Sequence, residues 1–197
     1  MAAGLKYNLD PIEKVMPEMC RFDTVYRYSG GFNLVLDNLT GVKAIPPLTP
    51  LVLDFKAKKA TVVINVEVAE DITAGTTSLK IKKGSFVKAG IHLGNGTNGG
   101  TVESVDTTSS SEYDTVTLAA TPTLAAKKGD VLFEATAAAG KTPKNTAMAL
   151  NYAWTTVEPG ASITAVGRAY EIRPTRLIVP ISEKDKVSLG DRFMFTY

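Results

Sequence analysis

A phosphate-binding loop is the first chemistry that this sequence suggests, at residues 135–142, which read Ala-Thr-Ala-Ala-Ala-Gly-Lys-Thr. In such a loop, backbone N–H groups hold the phosphates, the lysine reaches the β- and γ-phosphates, and the threonine hydroxyl binds Mg²⁺. However, Ala135 stands where the first glycine is required, and Pro143 follows directly. Too few residues remain after Thr142 for the parallel sheet on which these loops sit. We therefore predict a loop of small residues with one exposed lysine, Lys141.

The other reactive side chains do not form a recognisable catalytic or metal site. His92 is the single histidine, so a metal site with two histidines is excluded. A pair of Cys20 with His92 stays open, since partners meet in space, but no third residue that would orient them is marked. Asp106, Glu112 and Asp114 do not have the spacing of a calcium loop. We expect no enzyme activity, no metal and no cofactor.

The composition is that of an ordinary globular chain. The 197 residues carry a net charge of +2, and 21% of them are charged. This charge does not indicate a nucleic-acid partner. No apolar run approaches the roughly 20 residues that a bilayer span needs, and the N-terminus has no apolar core of the signal-peptide kind. We expect a soluble chain made in a cytoplasm, with neither nucleic acid nor membrane as a partner.

One helix-like fragment precedes the rest of the pattern, at residues 8–20. Asp10 can cap a helix, Pro11 suits its first position, and Glu13 completes a capping box. Apolar residues at helical spacing follow: Ile12, Val15, Met16 and Met19. Because Pro17 limits its length, we predict a short helical or extended N-terminal arm.

After this fragment the apolar period changes to two, which is typical of half-buried strands. The apolar members of the alternating runs are Phe32, Leu34 and Leu36; Val62, Ile64, Val66 and Val68; Leu79 and Ile81; Val116 and Leu118; Met148, Leu150, Tyr152 and Trp154; Tyr170 and Ile172; and Phe193, Phe195 and Tyr197. The segments 82–93, 127–135 and 188–197 each place a glycine before a polar residue and a strand, which favours tight turns. The prediction is a mainly β fold, a small β-barrel or sandwich of antiparallel strands.

Two domain arrangements stay open. In the first, residues 1–45 form the arm and the first strands, and residues 46–69 and 137–197 form an outer sheet region. Residues 70–136 would then be a small inserted β-barrel. In the second, the whole chain is one domain, which its length equally allows.

Three aromatic residues in the last third of the chain are candidates for a surface platform: Tyr152, Trp154 and Tyr170. Exposed rings of this kind bind sugars or form the centres of protein interfaces. We favour buried packing for Trp154, because large apolar residues usually belong to a core. A surface position of Trp154 beside either tyrosine would instead favour sugar binding.

The order of the segments resembles the head decoration and head fibre proteins of tailed bacteriophages, particularly those of gut bacteria. The shared features are the hairpin TSLKIKKGS (77–85) with LGNG (93–96), and the pair YDTVTL (113–118) with KKGDVL (127–132). The first long strand begins with Leu48-Thr49-Pro50-Leu51, without the glycine of the family pattern. The resemblance covers residues 45–175.

This resemblance implies a virion structural protein, made in the host cytoplasm, that decorates the outside of a phage head. Such a protein binds the major capsid protein at repeated sites and reinforces the shell or carries a head fibre. It implies a homo-oligomer, with a trimer favoured, and contact with host-surface or mucus glycans stays open. The alternative is a β-sandwich adhesin or carbohydrate-binding module on a particle or cell surface.

The N-terminal 30 residues are expected to make much of the contact with the capsid or with other subunits. A polar segment with few strand signals suits an arm that becomes ordered on a neighbour. The candidate contact residues are Leu5, Tyr7, Ile12, Met16, Met19 and Phe22.

Overall fold

Strands dominate residues 18–197, which are the part of the chain that this computed structural model describes. The predicted N-terminal arm falls mostly on residues 1–17, which lie outside the described residues. The strands, in chain order, are β1 (Arg21–Arg27), β2 (Phe32–Leu34), β3 (Ala44–Ile45), β4 (Pro50–Asp54), β5 (Lys59–Val62), β6 (Asn65–Glu67), β7 (Ser78–Lys82), β8 (His92–Gly94), β9 (Gly99–Asp106), β10 (Tyr113–Leu118), β11 (Val131–Ala135), β12 (Ala149–Asn151), β13 (Thr155–Thr156), β14 (Ser162–Ile163), β15 (Ala165–Ile172) and β16 (Phe193–Phe195). The predicted mainly β fold class is confirmed.

The first sheet carries the surface on which the candidate site is built. Within residues 18–197 it holds eight strands, in the order β1-β15-β12-β4-β5-β2-β14, and β16 joins it beside β15. Its pairs are antiparallel except β2 with β5 and β15 with β16, which are parallel. β3 and β13 form a separate two-stranded pair, and in the sequence both lie between strands of the first sheet.

The second sheet curls until its two outer strands meet. Its order is β6-β11-β8-β9-β10-β7, and all its pairs are antiparallel. A bridge between Val68 and Ile81 joins the ends of β6 and β7. The N–H of Ala69 adds a hydrogen bond of 2.9 Å to the carbonyl of Lys80. The antiparallel barrel-like packing predicted from the period-two pattern is therefore present.

Glycines make the turns that the repeated Lys-Lys-Gly pattern predicts, but of these two turns only the one at Gly129 leads directly into a strand; after Gly84 no strand begins until β8 at His92. Gly84 and Gly129 have φ angles of +86° and +90°, a region that residues with a side chain rarely adopt. The turn at Gly129 is closed by the side chain of Asp130, which accepts a hydrogen bond of 2.8 Å from the N–H of Lys127. The strand β11 follows directly.

Two apolar clusters form the core. The larger one combines residues of both sheets, such as Leu51 of β4, Val66 of β6 and Leu132 of β11, each fully buried. The smaller one combines two residues that precede β1, two from the region around β4 and β5, and nine from the last third of the chain: Met19, Cys20, Leu48, Val63, Ala147, Leu150, Val166, Ala169, Ile172, Leu177, Ile181, Leu189 and Phe193. Each fully buried large aliphatic side chain contributes about 1.5–3 kcal/mol to folding. The smaller cluster fixes the position of β1 and of the residues that precede it.

A short helix, α1 (Glu183–Leu189), lies between β15 and β16, flanked by the 3₁₀ turns Pro174–Arg176 and Gly190–Arg192. Its capping box joins Ser182 and Asp185: the Ser182 side chain accepts from the N–H of Asp185, and the Asp185 carboxylate accepts from the N–H of Ser182. No helix of the described residues is long and apolar enough to span a bilayer.

The strands of the second sheet all come from residues 65–135, whereas those of the first sheet come from before and after this range. One continuous cluster of buried residues spans both sheets. Both domain arrangements remain predictions. They are the single domain and the division into residues 1–45, 46–69 with 137–197, and 70–136.

Candidate functional site

An apolar groove opens on the surface beside the start of β1. Ten residues line this apolar groove: Met19, Cys20, Phe22, Val25, Pro47, Leu48, Tyr152, Ala153, Trp154 and Val166. None of these side chains carries a charge or an amide. The groove has a volume of about 220 Å³, below the roughly 300–1,000 Å³ of typical ligand pockets. Its size and lining suit a few apolar side chains of a partner.

The groove has a buried floor and an exposed aromatic rim. Met19, Cys20 and Leu48 belong to the smaller core cluster and form the floor. Phe22 is 57% exposed and Trp154 is 49% exposed, and both stand at the rim. Large apolar side chains rarely remain this exposed side by side on a protein surface unless they take part in an interaction.

A buried asparagine holds one wall of the groove in place. The Asn151 amide donates to the carbonyl of Ala153 at 2.6 Å and to the carbonyl of Pro46 at 2.9 Å. The N–H of Leu48 donates in turn to the carbonyl of Asn151 at 2.7 Å. These bonds fasten the bend at 152–154 to the Pro-Pro turn on the opposite side. The groove is therefore shaped before any partner arrives.

Leu48 is held in a strained conformation on the groove floor. Its φ angle is +57°, a left-handed value that costs a residue with a side chain about 1–2 kcal/mol. Such strain persists only where the surroundings enforce it, and it clusters at functional sites. The conformation turns the Leu48 side chain into the smaller cluster, where it is buried.

The segment that leads into β1 is anchored at the edge of the groove. The carbonyl of Met19 accepts a hydrogen bond of 2.8 Å from the N–H of Arg173. The carbonyl of Glu18 accepts one of 2.9 Å from the guanidinium of Arg176. On β1 itself, the hydroxyl of Thr24 accepts from the N–H of Tyr170 at 3.0 Å. Residues 1–17 therefore precede a fixed point next to the groove.

Cys20 lies in the groove floor as an inert thiol. Burial, helped by the nearby negative charge of Glu18, raises the pKa of Cys20 to about 11. Since the thiolate is the reactive form, the thiol stays unreactive near neutral pH.

Four of the predicted contact and platform residues come together in the groove, namely Met19, Phe22, Tyr152 and Trp154. The third platform residue, Tyr170, does not line it and lies beside Arg168, whose guanidinium carbon is 5.8 Å from the ring centre. The expectation that Trp154 is buried is wrong. β12 ends at Asn151, so the alternating pattern stops before Trp154, which sits in an exposed bend.

The remaining candidate contacts, Leu5, Tyr7, Ile12 and Met16, lie outside the described residues. The roles of all these residues as contacts or as a platform stay predictions. The sequence does not show which segments meet in the groove, because their meeting depends on strand order. The segments are residues 19–25, 47–48, 152–154 and 166.

The Gly-Lys-Thr stretch has a packing role in the structure. The backbone of Gly140 lies directly against Gly94 and Gly99, and a Cβ atom on Gly140 would stand 2.2 Å from the carbonyl oxygen of Asn98. After Thr142 the chain continues through bends to β12 and does not start a helix there. A phosphate loop places its glycines against phosphate oxygens and opens a helix. Gly140 instead lets two backbone segments touch.

The other candidates for chemistry make ordinary structural contacts. His92 is half-buried, and its Nδ1 lies 2.9 Å from the hydroxyl of Thr101 on the neighbouring strand. Asp114 pairs with Lys83 at 3.0 Å. The Asp106 carboxylate accepts hydrogen bonds from the N–H and the hydroxyl of Thr108 in the turn that follows β9, and these bonds lower the pKa of Asp106. Within residues 18–197, no group of three or more His, Cys, Asp or Glu side chains is arranged to hold a metal ion.

Comparison with known proteins gives one match. The family model described as head fiber protein matches residues 5–193. A search of the curated proteins and a search of the solved structures each found no match. The matched range includes the whole second sheet and every residue of the apolar groove.

Proposed function

This chain belongs to the head fiber protein family of phages, and we propose that it attaches to the outside of the head through the apolar groove. Family membership makes the chain a structural component of the phage virion. In the proposal, apolar side chains of the major capsid protein fill the groove at repeated sites. The attached protein reinforces the shell or carries a head fibre.

The exposed aromatic rim of the groove is the observation that carries the proposal. Trp154 and Phe22 are about half exposed to solvent, although the residues of the groove floor are buried and apolar. Burying such rings in a partner is the usual basis of a strong contact, since Trp and Tyr dominate binding hot spots. Arg27 supports this rim, because its guanidinium carbon lies 4.6 Å from the ring centre of Tyr152.

The position of the groove supports a joint role with the N-terminal segment. The first 17 residues enter the fold at Glu18, directly beside the groove floor. A segment and a groove that bind the same partner act together, because binding of one raises the effective concentration of the other. We propose that the candidate contacts in residues 5–16 bind the head together with the groove.

We propose a homo-oligomer, with a trimer favoured, as the attached form. Threefold positions recur on an icosahedral shell, and a cyclic trimer matches their symmetry. Size-exclusion chromatography with light scattering on the full chain gives the subunit number directly. A monomer at all concentrations would contradict this part of the proposal.

We further propose that the chain has no enzyme activity and needs no cofactor. The backbone contact of Gly140 with Gly94 and Gly99 supports this proposal, since it uses the glycine on which a nucleotide site would depend. Host-cytoplasmic synthesis follows from the proposed place in the virion, because phage structural proteins are translated by the host.

Copy number and head binding test the proposed attachment. The chain should occur in purified particles at a fixed and high ratio to the major capsid protein. Heads that lack it should bind the added wild-type protein. The variants Trp154→Ala and Phe22→Ala should bind about 30-fold more weakly, as expected for hot-spot rings. Val187→Ala is the matched control, because Val187 is 82% exposed on α1, away from the groove.

Two results would overturn the proposal. Absence of the chain from particles would remove the structural role on the head. Unchanged binding of the Trp154→Ala and Phe22→Ala variants would show that the groove is not the attachment site. Thermal unfolding of each variant checks that a loss of binding does not come from a loss of folding.

A carbohydrate-binding module on the particle surface is the second candidate. The exposure of Trp154 beside Tyr152 favours it, since exposed aromatic rings stack on sugars. The groove itself argues against a sugar, because its lining offers only the Tyr152 hydroxyl, the Trp154 indole N–H and the Cys20 thiol as side-chain partners for sugar hydroxyls. Binding sites for sugars need several polar groups. We therefore propose that the groove binds the major capsid protein and not a sugar.

A further inference from the structure

A second concave surface, the Tyr–Arg cleft, has the opposite chemistry to the apolar groove. It is lined by Tyr26, Tyr28, Gly167, Arg168 and Arg192 and has a volume of about 310 Å³. That volume lies at the lower end of the range for small-ligand sites. The cleft and the groove are neighbours, since Val166 of β15 lines the groove and Gly167 lines the cleft.

Tyr28 is fixed in the cleft by contacts on several sides. A Cβ atom on Gly167 would stand 2.7 Å from Cζ of Tyr28, so the ring lies directly on the glycine backbone. The guanidinium of Arg192 donates to the Tyr28 hydroxyl at 3.2 Å. The Phe55 ring packs edge-on at a centre distance of 5.2 Å. A ring locked in this way loses little conformational entropy when it binds a ligand.

Tyr26 and Arg168 present an open pair of groups at the cleft. They are cross-strand partners of β1 and β15. Tyr26 is 58% exposed, and its ring meets Tyr28 edge-on at 6.4 Å. Arg168 is exposed as well. An aromatic face and a guanidinium therefore stand side by side in solvent.

The cleft carries positive charge without a carboxylate to balance it. Among residues 18–197, no Asp or Glu lies within salt-bridge distance of Arg168 or Arg192. Arg192 is occupied by neutral groups, since it donates to Tyr28 and to the carbonyl of Met148. Arg21, at the other end of β1, is paired with Asp23 and Glu171. An anionic ligand would complete the pairing that Arg168 lacks.

We propose that the Tyr–Arg cleft binds a sugar that carries a carboxylate. The C–H face of the sugar ring packs on Tyr26, and the carboxylate accepts two hydrogen bonds from the guanidinium of Arg168, whose planar fork matches it. The concave shape and small volume favour one or two sugar rings over a flat protein surface, which needs about 800 Å² per partner. This site goes beyond head attachment and uses none of the groove residues.

Titration with an acidic and a neutral sugar tests the proposal. Sialyllactose and lactose are the probes, since they share the lactose unit and differ in the carboxylated residue. At physiological salt, the full chain should bind sialyllactose measurably by NMR and bind lactose at least about tenfold more weakly, as the loss of a charge-assisted hydrogen-bond pair implies. The Arg168→Gln and Tyr26→Ala variants should each lose about tenfold in affinity for sialyllactose.

Arg21→Gln is the control, because it removes a positive charge from β1, the strand that pairs with β15, outside the cleft. Equal affinity for both sugars, no response to sialyllactose, or equal losses in Arg168→Gln and Arg21→Gln would each overturn the proposal. An acidic peptide that binds more tightly than sialyllactose, in an Arg168-dependent manner, would also overturn it and assign the cleft to a protein. The Arg168→Gln variant should bind heads as tightly as the wild type, which separates this site from the apolar groove.

Discussion

The side-chain amide of Asn65 donates a hydrogen bond of 2.6 Å to Oδ2 of Asp185, which lies 120 residues further along the chain. The same carboxylate accepts from the hydroxyl of Ser182 at 2.6 Å and from the N–H of Ala147 at 2.7 Å. Asp185 thereby joins β6 of the second sheet, the segment before β12 of the first sheet and the start of α1. The carboxylate is 1% exposed, so these donors replace water around it.

The Asp185→Ala variant should lose about 3 kcal/mol or more of unfolding free energy. It leaves the Ala147 N–H buried without its acceptor and removes one of the two acceptors of the Asn65 amide, which keeps the carbonyl of Pro180; each such loss costs about 1–3 kcal/mol. Urea denaturation measures the change. The control is Glu183→Ala in the same first turn, since the Glu183 carboxylate is largely exposed and its ion pair with Lys186 is worth about 1 kcal/mol or less. Similar losses in the two variants would contradict the role of Asp185.

The Gly140→Ala variant should be destabilised by about 3 kcal/mol or more. The new methyl group would collide with backbone atoms of Asn98 and Gly99, and overpacking of this kind costs about 1–3 kcal/mol before the strain of the φ angle of +68° is added. Gly129→Ala is the matched control, since Gly129 has a positive φ but no atom within 4 Å of the added Cβ. It should lose only about 1 kcal/mol.

Thermal unfolding tests whether the Gly-Lys-Thr stretch binds a nucleotide. Lys141→Ala should leave the unfolding temperature unchanged, and ATP with Mg²⁺ should not raise that of the wild type. A ligand that binds only the folded state would raise it. Stabilisation by ATP that disappears in the Lys141→Ala variant would restore the nucleotide site.

The stability of the protein should fall between pH 9 and pH 11 because of Cys20. The pKa of this thiol rises from 9.0 to about 11 in the folded state. Above pH 9 the unfolded chain therefore binds fewer protons than the folded one, and stability decreases as pH rises. The full effect is at most about 2–3 kcal/mol, since each pKa unit corresponds to about 1.4 kcal/mol.

Comparison of the wild type with the Cys20→Ala variant isolates this effect, because other groups titrate in the same range and cancel in the difference. The variant should be less stable at pH 7, and the gap should narrow toward pH 11. A constant gap over this range would show that the thiol ionises alike in the two states.

Trp154 offers a direct optical test of the groove. It is the single tryptophan of the chain, and about half of it is exposed. Acrylamide should therefore quench its fluorescence efficiently in the free protein. Attachment to heads should protect it and shift the emission to shorter wavelength, because the ring enters an apolar contact. Equal quenching of free and attached protein would contradict a buried Trp154 in the complex.

The strands were predictable where one face is buried and the other is solvated. The alternation around Leu79 and Ile81 located β7, and that around Val116 and Leu118 located β10. The pattern failed at Trp154, because β12 ends three residues earlier and its alternation continues into a bend by coincidence. α1 was missed although Ser182 and Asp185 have the spacing of a capping box, since a helix of seven residues shows little periodicity.

The candidate site was predictable only as separate parts. Met19 and Phe22 stood out by position near the N-terminus, and Tyr152 and Trp154 stood out as aromatic residues. Their meeting in one groove depends on β15, which lies between β1 and β12 in the sheet, and single-sequence patterns do not give strand order. The strained Leu48 left no sequence signal either, nor did Arg168, which has no carboxylate partner within residues 18–197, because both depend on tertiary contacts.

In the proposed attachment at repeated sites on the head, many copies of the junction of β6 and β7 through Val68 and Ile81 would stand near one another. Open sheet edges in neighbouring molecules can pair with one another and grow into fibrils. On a crowded shell, neighbours would meet at high local concentration for the lifetime of the particle. The backbone groups at this junction are already hydrogen-bonded within the molecule. The second sheet can therefore stand close to its copies without templating their aggregation.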